Sequence, residues 1–255
     1  MLTIEQKDRY ARHLMLEGVG APGQERLLAG RVLVIGAGGL GSPAALYLAA
    51  AGVGTIGIVD SDVVELSNLQ RQILHRNVDV GMPKVASAKE KLTAINPDVK
   101  VNAIKLRVDN QSIASLISEY DFVLDCTDNF DAKFLINDAS VKACKPYTHA
   151  GILRFSGQAM TVYPGKSACY RCIFPEKPDE VTSLACSKAG VIGVLPGLIG
   201  TIQATEAIKS LLGIGYLLLD RIITYDSLSM KFREVRVRRS PECPVCGFLP
   251  IISTG

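Results

Sequence analysis

The run Arg31-Val32-Leu33-Val34-Ile35-Gly36-Ala37-Gly38-Gly39-Leu40-Gly41 decides how the rest of the chain is read. After Arg31 it is apolar, mostly β-branched, and it ends on glycines, which is the pattern of a strand buried in a parallel sheet. The glycines spell G-x-G-x-x-G where that motif must stand, between a strand and a helix of small residues (42–51). Gly36, Gly38, Gly39 and Gly41 allow a tight turn and a close approach of backbone to phosphate. The helix N-terminus adds free N–H groups and the positive end of its dipole. A second strand, 55–60, closes on Asp60, about 20 residues on, where an acid can accept hydrogen bonds from ribose hydroxyls. Together these features predict a bound nucleotide. The loop by itself points to a dinucleotide enzyme, and a glycine-rich turn without any ligand is the plainer alternative.

Outward from this unit, strand and helix alternate. A polar segment (61–83) leads to a helix at 84–92, stopped by Asn96-Pro97. A strand at 99–106, a helix at 111–117, a strand at 122–124, a helix at 133–142 and a short strand at 146–148 follow. That order is the signature of a doubly wound α/β sheet. Beyond it, 158–163, 222–225 and 231–237 alternate apolar and polar residues, with one long helix at 201–212, and predict antiparallel strands extending the same sheet. Towards the N-terminus, 4–16 reads as an amphipathic helix carrying Arg9, Arg12 and His13, and 24–28 as a second short helix. The expectation is one mixed parallel and antiparallel domain spanning 1–255.

Composition agrees with an enzyme of ordinary kind. Hydrophobic residues make up 48%, charged residues 21% and aromatics 6%, with no tryptophan. A net charge of +3 is too slight for a nucleic-acid binder, while leaving room for a local cluster that holds an anion. The first residues carry charges where a signal peptide is apolar, and the uncharged stretch 189–205 is broken by Pro196 and glycines. It reads as a buried loop entering a helix, not a membrane span. Seven cysteines without an export signal place the protein in a reducing compartment, the cytoplasm.

The segment behind the second strand turns the reading from a dinucleotide to ATP. It runs Asp62-Val63-Val64-Glu65-Leu66-Ser67-Asn68-Leu69-Gln70-Arg71-Gln72, with Lys84 ahead of the next helix. Hydride transfer has little use for such a basic, polar stretch. A triphosphate needs cations and donors where charge builds in the transition state. Arg71 can grip phosphate oxygens with its planar fork, and Lys84 can act as a mobile point charge. The fourth strand runs into Asp125-Cys126-Thr127-Asp128-Asn129, and a carboxylate there lies over the ligand crevice and can hold Mg2+. Asp128 or Asn129 could equally cap the following helix.

GAGGLG, SNLQRQILH, the lysine of GMPK, INPD, LDCTDN, CYRC and CPVCG occur in this order over nearly the whole chain. The sequence resembles the ThiF/MoeB/HesA family, bacterial relatives of the ubiquitin-activating enzymes. The resemblance implies a Rossmann-like half continued by antiparallel strands, a homodimer, and MgATP-dependent adenylylation of the terminal glycine of a ubiquitin-like sulfur-carrier protein. It implies that Gly39 and Asp60 hold ATP through phosphate and ribose, that Ser67, Asn68, Arg71 and Lys84 serve the phosphates, and that Asp128 serves magnesium and the reacting centre. It also implies that Arg12 reaches the ATP of the partner subunit, and that the carrier ends in Gly-Gly. A terminal carboxylate, with a pKa of about 3.5, is already an ionised nucleophile, so no general base is needed and none is evident. The carrier's pathway, whether thiamine, molybdopterin or another sulfur transfer, is left open.

Cys169-x-x-Cys172 and Cys243-x-x-Cys246 have the spacing of two knuckles around a tetrahedral Zn2+. Such a site closes a long loop and leaves no open position, so its role is structural; the resemblance points to the same four ligands. Cys126 and Cys144 lie beside apolar elements and are expected in the core. Cys186 lies in a polar stretch, 175–188, expected to be a mobile surface loop, with Lys188 near enough to lower its pKa. In some members of the family a cysteine here takes up sulfur or links to the carrier; an ordinary exposed thiol is the other reading. His13, His75 and His149 show no ligand spacing and no nucleophile partner, and are assigned no role. Lys231, Arg233, Arg236, Arg238 and Arg239 read as the solvated face of an edge strand, or as a dock for an acidic carrier. The chain stops soon after Cys246, which leaves no room for a sulfurtransferase domain and predicts a separate sulfur donor. Two rivals stand beside this reading: a nicotinamide-dependent oxidoreductase, and a scaffold that binds nucleotide without turnover.

Overall fold

The computed structural model describes residues 1–179, 181 and 189–250. Its centre is one eight-stranded sheet in the order β3-β2-β1-β4-β5-β6-β7-β8. β1 (Arg31–Ile35), β2 (Thr55–Val59), β3 (Lys100–Ile104), β4 (Phe122–Asp125) and β5 (Tyr147–Leu153) are parallel. β6 (Ser156–Val162), β7 (Arg221–Asp226) and β8 (Lys231–Arg236) continue it antiparallel. The expected fold class, a doubly wound sheet continued by antiparallel strands, is what the chain adopts.

The core divides along the two faces. On one, α4 (Gly41–Ala50), α5 (Lys84–Ile95) and a long helix, α9 (Val194–Leu212), bury Leu48, Leu92 and Ile199 against Val32, Ile56 and Leu124. On the other, α6 (Ile113–Ser118) and α7 (Phe130–Lys142) bury Ile117 and Ile136 against Leu33, Val123 and Tyr147, and the short α8 (Tyr170–Ile173) packs Tyr170 on Phe134 of α7. Both sides of β1 and β4 are therefore covered, which is why those strands are apolar without alternation. Among the described residues no helix is long and apolar enough to cross a membrane.

Several boundaries differ from the sequence expectation, each for a tertiary reason. The single helix expected at 4–16 is two, α1 (Ile4–Arg9) and α2 (Ala11–Leu14), because Tyr10 leaves helical geometry to bury its ring. The Tyr10 hydroxyl accepts a hydrogen bond from Asn96 at 2.8 Å. The second helix, α3 (Gly20–Ala29), is longer than expected. α9 begins at Val194 and not at 201, since Pro196 falls in the first turn, where its missing N–H costs nothing. β5 is seven residues long and turns directly into β6 through Arg154 at φ +55°. Cys144, expected in the core, is exposed at the turn after α7, with φ +52°.

Candidate active site

Residues at the carboxyl ends of β1 and β4 define the site. Ile35 pairs with Asp125, while β1 pairs with β2 on its other side. α4 leaves β1 on one face of the sheet and α7 leaves β4 on the other, so this is the switch point where an α/β sheet opens a crevice. The glycine loop borders it. Gly36 has φ +104°, and a Cβ there would stand 2.6 Å from the Cys126 carbonyl. A Cβ on Gly41 would lie 1.9 Å from the Gly36 carbonyl. Both positions therefore exclude any side chain. Gly38 and Gly39 donate to no backbone carbonyl among the described residues, leaving their amides for a ligand.

Asp60 is tied to this loop. Its Oδ2 accepts the Ala37 N–H at 2.8 Å and its Oδ1 the Asp62 N–H at 2.9 Å. The remaining lone pairs are those a ribose would need. Arg71 lies beside the loop, its Cγ 3.5 Å from where a Gly39 Cβ would stand, and its Nη1 donates to the Ser67 carbonyl at 3.1 Å. Ser67 and Asn68 form a 3-10 turn (Leu66–Asn68) in which Glu65 accepts from Ser67 at 3.2 Å. Lys84 is buried at the start of α5 and pairs with exposed Asp62 at 2.9 Å. That ammonium holds the Asp62 carboxyl below the usual range. Asp62 thus keeps the Lys84 charge in place beside the loop.

Asp128 is exposed at the mouth, with no ion-pair partner among the described residues. Asn129 takes the capping role, accepting the Ala132 N–H at 2.9 Å, so Asp128 is not consumed by the helix. Arg12 is not brought to this crevice. It is exposed on α2, whose neighbour His13 bonds Gln24, which in turn reaches the Ala51 carbonyl at the far end of α4. A ten-residue helix is about 15 Å long, so α2 sits at the opposite end of α4 from the glycine loop. Cys186 lies outside the described residues.

Beneath Asp128 is a buried network that sequence reasoning missed. Lys133 donates to both oxygens of Asp125, at 3.1 and 3.4 Å, and to the Ala150 carbonyl at 2.7 Å. His149 Nδ1 lies 2.9 Å from Asp125 Oδ2, and Gln203 of α9 donates to the Asp125 carbonyl at 2.8 Å. Burial pushes the Asp125 carboxyl up, yet Lys133 and His149 outweigh it and hold it down at about 2. This anchors the strand end from which Cys126, Thr127 and Asp128 project. His75 is likewise engaged, 3.0 Å from the Ala37 carbonyl of the glycine loop. Chain separation hides these partners; only the apolar flanks of Asp125 and Lys133 hint at burial.

The four knuckle cysteines converge. Their sulfurs all lie within 4.8 Å of one another, with Cys169 to Cys243 at 3.6 Å and Cys172 to Cys246 at 3.3 Å. A tetrahedron of Zn–S bonds of about 2.3 Å has sulfurs about 3.8 Å apart, so the set fits a four-thiolate metal site. The Ser240 amide donates to Cys172 Sγ at 3.4 Å, a fixed dipole that favours thiolate. Arg239 leaves the basic run expected on β8: its Nη2 donates to the Cys246 and Leu249 carbonyls and locks the second knuckle.

A model of the ThiF family matches residues 10–245, nearly the whole length over which these features lie. The chain belongs to the ThiF family. Among its relatives, the SAMP-activating enzyme E1 of Haloferax volcanii is 49% identical over 96% of this chain and 91% of that protein. The sulfur carrier protein adenylyltransferase of Thermus thermophilus is 46% identical over 97% of this chain and 93% of its own length. The structure of E. coli MccB with ATP superposes with a TM-score of 0.83 at 28% identity, covering 94% of this chain and 74% of that one. With relatives this close over the full site, this ThiF-family chain is an adenylyltransferase.

Proposed function

We propose that this ThiF-family enzyme uses MgATP to adenylylate the C-terminal glycine of a ubiquitin-like sulfur-carrier protein and releases pyrophosphate. The observation that carries the reading is the convergence of Gly38, Gly39, Arg71 and Lys84 on one side of the crevice with the exposed carboxylate of Asp128 on the other. A carboxylate oxygen of the carrier attacks the α-phosphorus, and the bond between the α-phosphorus and the bridging oxygen breaks. Pyrophosphate leaves with the electron pair, and no proton need move. What the enzyme must supply is alignment and positive charge around the leaving group. Loop amides, Arg71, Lys84, Ser67 and Asn68 are suited to the phosphates, Asp60 to the ribose, and Asp128 to Mg2+, which would neutralise charge on the triphosphate.

Arg12 is assigned to the site of a second subunit. Its exposure far from its own loop supports this, as do exposed Tyr47, Leu66, Ile73 and Val78, apolar groups suited to a dimer interface. The four cysteines are assigned to structural Zn2+. The relatives' names support a carrier of the sulfur-transfer type; a Gly-Gly tail and a separate sulfur donor complete the proposal, with thiamine and molybdopterin supply both open. A cytoplasmic setting suits four thiols kept for a metal. ATP–pyrophosphate exchange tests the whole reading. Exchange that requires a carrier with an intact Gly-Gly tail is the expected result; exchange indifferent to the carrier, or none with any carrier, refutes it.

A further inference from the structure

We propose, on the reading that the glycine-rich loop holds a nucleoside triphosphate, that His75 is the positioning residue of that loop and takes up a proton when the triphosphate binds. The Ala37 peptide is held on both sides: its N–H by Asp60, and its carbonyl 3.0 Å from His75 Nε2. On the other side of the ring, Nδ1 lies 2.9 Å from Ser87 Oγ. Ser87 Oγ is in turn 2.9 Å from Asp79 Oδ2, and Asp79 Oδ1 pairs with Lys91 at 2.6 Å. Ala37, His75, Ser87, Asp79 and Lys91 are all buried, so water supplies none of these contacts.

Counting hydrogens shows what the chain lacks. Carbonyl, imidazole, hydroxyl and carboxylate make three contacts in a row, and each contact needs one hydrogen. A neutral imidazole carries one and the hydroxyl carries one. Asp79 supplies none: burial pushes its carboxyl up, but Lys91, the Arg76 amide and Ser87 outweigh that and hold it below the usual range. Two hydrogens therefore serve three contacts. One contact goes without: the Ala37 carbonyl faces a bare ring nitrogen, or His75 Nδ1 and Ser87 Oγ meet lone pair to lone pair, or the oxygens of Ser87 and Asp79 meet without a hydrogen between them. Only the imidazolium completes the row.

The charged groups facing the ring set when that happens. Burial pushes His75 down and the Lys84 ammonium adds to this, while the Ala37 carbonyl, Asp79 and Asp60 act the other way. The balance without nucleotide is a neutral ring. A triphosphate against Gly38 and Gly39 brings negative charge next to Ala37 and engages the Lys84 charge. Both changes favour the imidazolium, whose new proton comes from solvent. His75 then donates to Ala37 and Ser87 together, and the loop amides are fixed towards the phosphates.

The consequence is a linkage between proton and nucleotide. Between the range in which free His75 titrates and the higher range in which bound His75 titrates, affinity falls by up to tenfold per pH unit, and above both it levels off. The chain has three histidines, so side-chain 15N NMR can follow His75 with and without the non-hydrolysable MgAMP-PCP. The expected result is a neutral ring at pH about 7.5 that becomes imidazolium on addition of MgAMP-PCP. Calorimetry in buffers of different ionisation enthalpy should give about one proton more for wild type than for His75→Gln, which keeps a donor for Ala37 but does not titrate. Ser87→Ala, which removes two contacts and one hydrogen and so the shortage, should lose the same uptake. A ring that stays neutral from about pH 6 to 8 with nucleotide bound overturns the proposal, as does equal uptake by wild type and His75→Gln. Wild-type protein that binds no MgAMP-PCP overturns the triphosphate reading and this proposal with it; binding without uptake overturns this proposal alone.

Discussion

Asp128 and Asp125 lie three positions apart and do opposite things. Asp128 is exposed and makes no side-chain hydrogen bond or ion pair among the described residues, so Asp128→Ala should leave stability within about 0.5 kcal/mol while abolishing pyrophosphate exchange. Urea denaturation and exchange, run on one preparation, check both halves; retained exchange ends its assignment to the reacting centre. Asp125 is fully buried between Lys133 and His149. Its folded pKa, about 2, lies below the ordinary value of 3.8, so its contribution is fully present at neutral pH. It is lost as pH falls from about 4 to about 2, and amounts to about 2 kcal/mol. Asp125→Ala strands the Lys133 charge and should cost about 3–5 kcal/mol at neutral pH, far more than the Asp128 change. The sequence marked Asp128 through its motif. The weight carried by Asp125 was not legible there, because Lys133, His149 and Gln203 reach it from three other elements.

Among the elements, the β1 to α4 junction is the most constrained. Gly36→Ala places a methyl 2.6 Å from the Cys126 carbonyl, at a φ of +104°. The loop and the β4 end must then separate, and nucleotide affinity should fall at least tenfold, a change that calorimetry with MgAMP-PCP reads directly. Undiminished affinity would mean the loop does not set the phosphate site. This junction was legible because strand, glycines and helix are contiguous. The α1 to α2 break and the early start of α9 were not, since burial of Tyr10 and a tolerated Pro196 depend on what packs against them. The cysteine knuckles lie between these cases. Their spacing was plain, but Arg239 turning from the basic strand to hold Cys246 was not.

At the scale of the whole molecule, two joins remain to be tested. The four-cysteine site pins 243–247 back onto the segment at 169–173, so removing the metal should free that end. Purified protein is expected to carry one zinc per chain by elemental analysis, and strong chelation should lower Tm by several degrees. Metal-free protein whose four knuckle thiols titrate, with an unchanged Tm, would refute the assignment. Arg12 acting across a dimer makes a sharper forecast. Arg12→Ala and Asp128→Ala are each inactive alone, but mixed subunits include heterodimers with one complete site. Random pairing should restore about a quarter of wild-type exchange, and no restoration would place Arg12 elsewhere.

By itself the sequence determined the parallel sheet, the glycine loop, the acid after β2 and the pairing of two CxxC knuckles. Each of these is encoded in neighbouring residues, through periodicity, steric freedom or ligand spacing. Only the tertiary structure decided that Asp62 steadies Lys84, that Asp125 anchors the β4 end, and that His75 holds the loop from behind. Those roles depend on burial and on hydrogen-bond partners from distant segments, and a buried polar group takes its meaning from the partners the fold brings to it.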